Sequence, residues 1–458
     1  MDWIARYLVE GERLPVLSRV RPGEVRAAFP KAPPEHAEPL HELLGDVERL
    51  IVPGLTHWNH PAFFAYFANS GTAPGILGEL LAAAFNANAM LWKTSPAATE
   101  LELVVLDWLR QMLGLPAGLF GVIQDTASAS TLVALAAARE NVPGLEARRR
   151  GLVGQARLRM YASDQAHSSI EKAGIVLGIG QEGFRAIPSD AAFRMDPRAL
   201  AGAIAQDRAA GFTPFAVTAT TGTTSTTSID PVAEVAAICE REGLWLHVDA
   251  AYGGSAAVAP ELRFVLAGAE RADSIVLNPH KWLFVPVDLS VLYTRRPEVV
   301  KRAFSLVPDY LRTAEEDLAP NLMDYGVSLG RRFRALKLWM VIRAFGHEGL
   351  AARIREHVRL AQLFRAWLEA DVLFEIKAPS PLSVVCFRAR FAGASDSELD
   401  RRNEAVMERV NATGDAYLSH TRLAGRTVLR LAVGNIRTEE RHVRRAYERL
   451  REAALALA

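Results

Sequence analysis

The middle of this chain alternates short apolar or β-branched runs with longer helical stretches, and few architectures accept such an order. Leu158–Ala162, Pro214–Ala219, Leu244–Val248, Ser274–Leu277 and Leu289–Tyr293 read as strands. Between them, Ser169–Ile175, Pro197–Ala209 and Pro231–Glu242 carry helical patterning. Strand–helix alternation predicts an α/β domain with a largely parallel sheet and helices on both faces. Ligands then sit beyond the carboxyl ends of the strands. Upstream, Gly75–Leu113 is helical, and the first 50 residues are helices broken by the proline-rich Phe29–Pro34. Trp3, Ile4, Tyr7 and Leu8 share one helical face, which so short a segment can bury only against something else. Downstream, a helical region from Leu336 to about Ala370 leads to Phe374–Ala378, Ser383–Ala389, a helix near Glu398–Asn411, Val428–Val433 and a terminal helix from Thr438. The expected division is an N-terminal helical segment over 1–72, a large α/β domain over 73–337 and a small α+β domain over 338–458.

Composition excludes several classes of function. Half of the 458 residues are hydrophobic and 23% are charged, so the chain is neither disordered nor of low complexity. A net charge of +1 lacks the basic footprint of a nucleic-acid binder. No apolar run approaches the roughly 18 residues that a membrane span needs, and Met-Asp-Trp-Ile-Ala-Arg-Tyr has an early acid and no basic stretch ahead of an apolar core, so no signal peptide is expected. The two cysteines, Cys239 and Cys386, match no zinc or disulfide spacing, and no metal site is expected. The expected setting is cytoplasmic.

Lysine is scarce. The 53 basic residues include only seven: Lys31, Lys93, Lys172, Lys281, Lys301, Lys337 and Lys377. Lys337 and Lys377 alternate with apolar neighbours as solvated positions do. Lys281 differs, because it follows a strand that ends at Asn278-Pro-His280 and precedes Trp282-Leu-Phe. A strand-end lysine in apolar company is suited to form an imine with an aldehyde cofactor, though structural roles for such a lysine are common. The preceding strand, Leu244-Trp-Leu-His-Val-Asp249, ends in an acid followed by the small residues Ala250 and Ala251. Buried there, Asp249 needs a cationic partner, and a protonated pyridine nitrogen is one. A further short strand, Gly121-Val-Ile-Gln, runs through Asp125-Thr126-Ala127-Ser128 into a helix over Leu132–Arg139. That junction is either an ordinary N-cap or a cradle for an anion. The hydroxyl-rich Thr220–Thr224 follows another strand and points the same way.

Taken together, these residues resemble the pyridoxal phosphate-dependent group II decarboxylases, and within them the aromatic-L-amino-acid decarboxylases. The likeness rests on His57-Trp-Asn-His-Pro-Ala-Phe-Phe-Ala-Tyr66-Phe, Thr94 to Glu102, Gly121 to Arg139, Ser163-Asp-Gln-Ala-His167 to Gly174, Trp245 to Tyr252, Asn278-Pro-His-Lys-Trp282 and Leu329-Gly-Arg-Arg-Phe-Arg334, in the family's order. It implies the type I, aspartate aminotransferase-like fold, with a large mostly parallel seven-stranded sheet domain and a small C-terminal α+β domain. It also implies pyridoxal 5'-phosphate as cofactor and a homodimer with the active site at the interface. Lys281 would hold the cofactor as an imine and Asp249 would pair with its pyridinium. His167 would stack on the ring and meet the substrate carboxylate. Thr126, Ala127, Ser128, Asn278 and His280 would surround the phosphate, Ala251 would pack against the ring, and Thr224 would lie near His167.

The same resemblance assigns Trp58, Tyr66, Phe67, Met90 and Trp92 to the substrate pocket. These side chains carry no charge, as aromatic amino acids require, whereas an acidic substrate would need a cationic clamp. Phe63 and Phe64 read as core. Many relatives have proline after the Tyr-Phe pair, where this chain has Ala68-Asn69-Ser70. Tyr310 falls where decarboxylating relatives carry a tyrosine on a catalytic lid, and aldehyde-forming relatives carry phenylalanine. The expected reaction is therefore decarboxylation of an aromatic L-amino acid to its amine. An aldehyde-forming relative or a non-catalytic one is the alternative.

Overall fold

The structure is a computed structural model and describes residues 2–306 and 318–458. Chain contacts divide it into two compact units. One comprises 69–362 and 378–386, the other 1–68, 363–377 and 387–458.

The larger unit is built on a seven-stranded sheet. In chain order the strands are β1 (Phe120–Gln124), β2 (Leu158–Ser163), β3 (Phe184–Ile187), β4 (Thr213–Thr220), β5 (Trp245–Asp249), β6 (Ser274–Leu277) and β7 (Ser290–Thr294). In space they run β1-β7-β6-β5-β4-β2-β3. β2 pairs in parallel with β3 and β4, β4 with β5, and β5 with β6. β7 is antiparallel to both β6 and β1, which makes β1 run in the same sense as β6. Every residue of β5, β6 and β7 is buried, the continuous burial of a sheet covered on both faces. This is the mostly parallel sheet that the strand–helix alternation predicts.

Local chemistry sets the crossovers. Asp196 accepts from the N–H groups of Arg198 and Ala199, at 2.8 and 3.3 Å, and Pro197 occupies the first turn, so the helix Pro197–Ala209 starts where the sequence says. Gly243, at φ 67°, stops the helix Val232–Glu242 and turns the chain into β5. The helical run Ala335–Ala370 is broken at Gly346, whose φ of 65° and ψ of 172° are not helical.

The smaller unit carries most of a second sheet, with β8 (Phe374–Ile376), β9 (Val384–Ala389, of which 384–386 are assigned to the larger unit), β10 (Ser419–Leu423) and β11 (Arg426–Ala432) in the order β10-β11-β9-β8. The β8–β9 and β10–β11 pairs are antiparallel. Its helices include Asp396–Thr413 and Glu440–Leu455. The helix Asp2–Glu10 buries none of its residues. Trp3 stacks on Tyr7 at 5.6 Å, and the Tyr7 hydroxyl meets His57 Nδ1 at 2.8 Å. Among the described residues, no helix is long and apolar enough to cross a membrane.

Candidate active site

Six strands of the large sheet, all but β7, point the same way, so their carboxyl ends share one edge. That edge collects the residues singled out from the sequence for the cofactor. β5 ends at Asp249, which is buried at 5% exposure, and its Oδ1 accepts from Ala251 N at 3.1 Å. The neighbouring outlet is stitched to it: Ala250 N donates to Val276 O at 3.0 Å and Asn278 N to Ala251 O at 3.2 Å. Lys281 follows on the one-turn helix Pro279–Trp282, its N–H donating to Asn278 O at 2.9 Å. His280 is buried, and its Nδ1 accepts from Leu289 N at 2.9 Å. Burial, and then the adjacent Lys281, push its imidazole down to about 4, so it is neutral at physiological pH.

His167 lies beyond the end of β2. Its Nδ1 accepts from Ser169 N at 3.2 Å and faces Ser169 Oγ at 2.8 Å. A neutral ring with Nδ1 so engaged carries its hydrogen on Nε2. Burial lowers its pKa, with Asp249 opposing and Lys281 reinforcing, so both charges act on this ring. Beyond β1, Thr126 caps the helix Ala127–Glu140 by accepting from Ala129 N at 3.4 Å, and Ser128 is exposed in its first turn. Thr224 is the exposed tip of a tight turn after β4. Gly222 N and Thr223 N both donate to Ser228 O at 3.0 Å. The hydroxyls of Thr223, Thr226 and Ser228 are joined in series at 3.0 and 2.8 Å.

This edge fits an anionic, ring-bearing cofactor. Asn278 Oδ1, Thr220 Oγ1 and Thr221 Oγ1 are buried with no hydrogen-bond partner among the described residues. A buried polar atom without a partner is costly, and the end of the Asn278 amide can turn to donate to an anion. The backbones beside them run close: a Cβ on Gly222 would stand 2.8 Å from Gly253 N, and one on Gly253 would strike the Thr221 carbonyl. Among the described residues, no group of three or more His, Cys, Asp or Glu side chains is placed to hold a metal ion.

The aromatic residues assigned to the substrate divide between the units. In the smaller unit Trp58 stacks with Tyr66 at 6.0 Å, and Phe67 lies under the Arg430 guanidinium at 4.7 Å. Tyr66 adopts φ 51°, an uncommon backbone for a bulky residue. Phe63 and Phe64 are fully buried, as core. In the larger unit Met90 O accepts from Met323 N at 3.1 Å, and Trp92 Nε1 donates to Glu100 Oε1 at 2.8 Å. Tyr310 lies outside the described residues.

One sequence expectation is corrected. Lys337 is not solvated: it is 1% exposed, its Nζ lies 2.7 Å from Glu79 Oε2, and burial lowers its pKa to about 8. Two features of this edge escape single-residue reading. His247 shares a face of β5 with Asp249, two residues away, and binds Ser274 Oγ through Nδ1 at 2.9 Å. Strand alternation is the signal that marks it. Glu102 accepts from Ile123 N at 2.8 Å and from Arg331 Nη2 at 2.7 Å, a buried pair that holds β1. Both members fall inside stretches that carry the family resemblance, but their pairing needs the fold.

Comparison with known proteins agrees with this geometry. Residues 22–390 match the model of the pyridoxal-dependent decarboxylase conserved domain. The chain is 43% identical over 471 residues to aromatic-L-amino-acid decarboxylase of Sus scrofa, covering 100% of this chain and 95% of that protein. It is 40% identical over 464 residues to phenylacetaldehyde synthase of Arabidopsis thaliana, covering 99% and 94% respectively. The crystal structure of Oryza sativa TDC with PLP and tryptamine matches with a TM-score of 0.96 and 40% identity, covering 100% of this chain and 96% of that one. By domain, length and fold, this chain belongs to the pyridoxal-dependent decarboxylases of group II, carboxy-lyases whose cofactor is pyridoxal 5'-phosphate.

Proposed function

We propose that this enzyme decarboxylates aromatic L-amino acids to the corresponding arylalkylamines, with Lys281, Asp249, His167 and Tyr310 as its catalytic residues. The observation that carries the reading is the shared sheet edge: Asp249 and the turn bearing Lys281 leave adjacent parallel strands, and both charges act on His167. When bound, pyridoxal phosphate supplies an electron sink for the pair left at Cα as CO₂ departs. Lys281 would hold the cofactor aldehyde. Asp249 would keep the pyridine nitrogen protonated. His167 would face the cofactor ring, its Nε2 hydrogen orienting the substrate carboxylate. Thr126, Ala127, Ser128, Asn278 and His280 would hold the phosphate, Ala251 would flank the ring and Thr224 would border the substrate.

The aromatic class is supported by the uncharged Trp58, Tyr66, Phe67, Met90 and Trp92, and by relatives named for aromatic substrates. We further infer a homodimer acting in the cytoplasm. An aldehyde-forming relative at 40% identity makes product choice a real question. Tyr310 decides it here in favour of the amine, because a phenol is able to return a proton to Cα. Tyr310→Phe is the test: in aerated buffer the variant should consume one dioxygen and one water per substrate and release CO₂, aldehyde, ammonia and hydrogen peroxide, dioxygen being the oxidant that is reduced to peroxide. Amine at the parental rate without peroxide would remove Tyr310 from the mechanism.

A further inference from the structure

Trp282 directly follows Lys281, and nothing in the chemistry above requires it to be more than core. Its surroundings are unusually determined. The side chain is fully buried and lies flat on the Tyr252 ring, centroids 4.7 Å apart and planes 4° apart. Its Nε1 donates to His357 Nδ1 at 2.9 Å, and the planes of the two rings are 9° apart. Phe284 closes on His357 edge-on at 5.5 Å. The far end of Tyr252 is also tied, its hydroxyl 2.6 Å from Ser383 Oγ. Tyr252, His357 and Ser383 are all buried.

Indole N–H is a donor only, so His357 Nδ1 must be the bare nitrogen and the imidazole neutral. The bond therefore fixes the His357 tautomer and the rotation of the indole together. Such a clamp matters because the helix Pro279–Trp282 has only one turn, and a helix that short does not hold its own geometry. Lysine adds a flexible four-carbon stem. Where the amine stands then depends on what anchors the turn.

We propose that Trp282 is a positioning residue: held between Tyr252 and His357, it fixes the turn that carries Lys281 relative to the Asp249–Ala251 outlet. Tyr252 adjoins Ala251 in sequence, so one stack spans both strand ends. The inference rests on the reading of Lys281 as the imine-forming lysine. In that step the Lys281 nitrogen bonds to the aldehyde carbon of pyridoxal phosphate, and the carbonyl oxygen leaves as water.

The test follows imine formation, independently of turnover. Pyridoxal phosphate is added to the full-length apoprotein, imine absorbance is recorded with time, and the adduct is reduced with borohydride and located by mass spectrometry. Trp282→Phe keeps a ring on Tyr252 but removes the N–H. His357→Leu removes the acceptor, whereas His357→Asn restores one near the place of Nδ1. Imine formation should slow by about 10- to 100-fold in Trp282→Phe and His357→Leu, the scale of a misplaced reacting group. His357→Asn should recover most of the parental rate. If His357→Leu does not fold, a slow Trp282→Phe beside a fast His357→Asn carries the proposal equally. A parental rate in Trp282→Phe, or an Asn variant as slow as the Phe one, overturns the clamp. A borohydride adduct on another lysine overturns the functional reading first, and the clamp with it.

Discussion

A carboxylate at the end of a buried strand is unfavourable until a cation reaches it, and Asp249 is such a group. Its position is legible in the sequence because an acid closing an apolar run has few structural excuses. Lys281 is legible for a related reason, standing at the next outlet in a chain with few lysines. Replacing Asp249 with Ala should leave imine absorbance in place but lower turnover by about 10²–10³-fold, the usual scale for losing a preorganised charge. Lys281→Ala, run alongside, should show neither imine nor turnover. An Asp249→Ala enzyme with parental kinetics would deny the pairing. Lys337 marks the limit of reading residues singly. Its apolar neighbours Leu336 and Leu338 suggest a solvated position between them, yet its Nζ reaches Glu79, on a helix far away in sequence. Only the fold supplies such a partner.

Among the elements, strands with continuous apolar runs are easy to find and mixed ones are not. β6 is read to the residue because all four of its side chains are buried. β3 escapes because it is the edge strand, and only Ile187 of its four residues is buried. β10 escapes because Ser-His-Thr-Arg-Leu offers no apolar run, and it too lies at an edge. The turn that presents Thr224 is determined by backbone rather than by pattern. Gly222 there has φ 92°, and an added Cβ would stand 2.8 Å from Gly253 N. Gly222→Ala should therefore destabilise the protein by about 1–3 kcal/mol, from strain at a left-handed position. Urea unfolding measures it, and a change below about 0.5 kcal/mol, the range of an ordinary surface substitution, would show that the turn relaxes freely.

For the whole molecule, burial of neutral histidines couples stability to pH. His247 and His280 are held down to about 4 from an ordinary 6.5, chiefly by burial. Between these values the unfolded chain binds more protons than the folded one, so stability rises with pH there. Their contribution is complete above about pH 6.5 and lost as pH falls to about 4. Asp230 works in the opposite sense, since burial raises it to about 6 and folding then favours its protonated form as pH falls. His60 is held down to about 4 in the same way, so three groups against one predict a net loss of stability on acidification across this window. A urea midpoint that does not change between pH 6.5 and 4.5 would contradict it. The largely parallel sheet and its ligand-bearing strand ends follow from the alternation of strands and helices, whereas the strand order needs the fold, and substrate and product rest on side chains that no periodicity marks. The most direct test of the account is therefore the product formed by the cofactor-loaded enzyme in heavy water, given an equimolar mixture of aromatic L-amino acids and L-glutamate. Amine and CO₂ in equal amounts are expected from the aromatic acids, with one solvent deuterium at Cα. Preferential consumption of glutamate, or aldehyde with ammonia and peroxide as the main products, would contradict it.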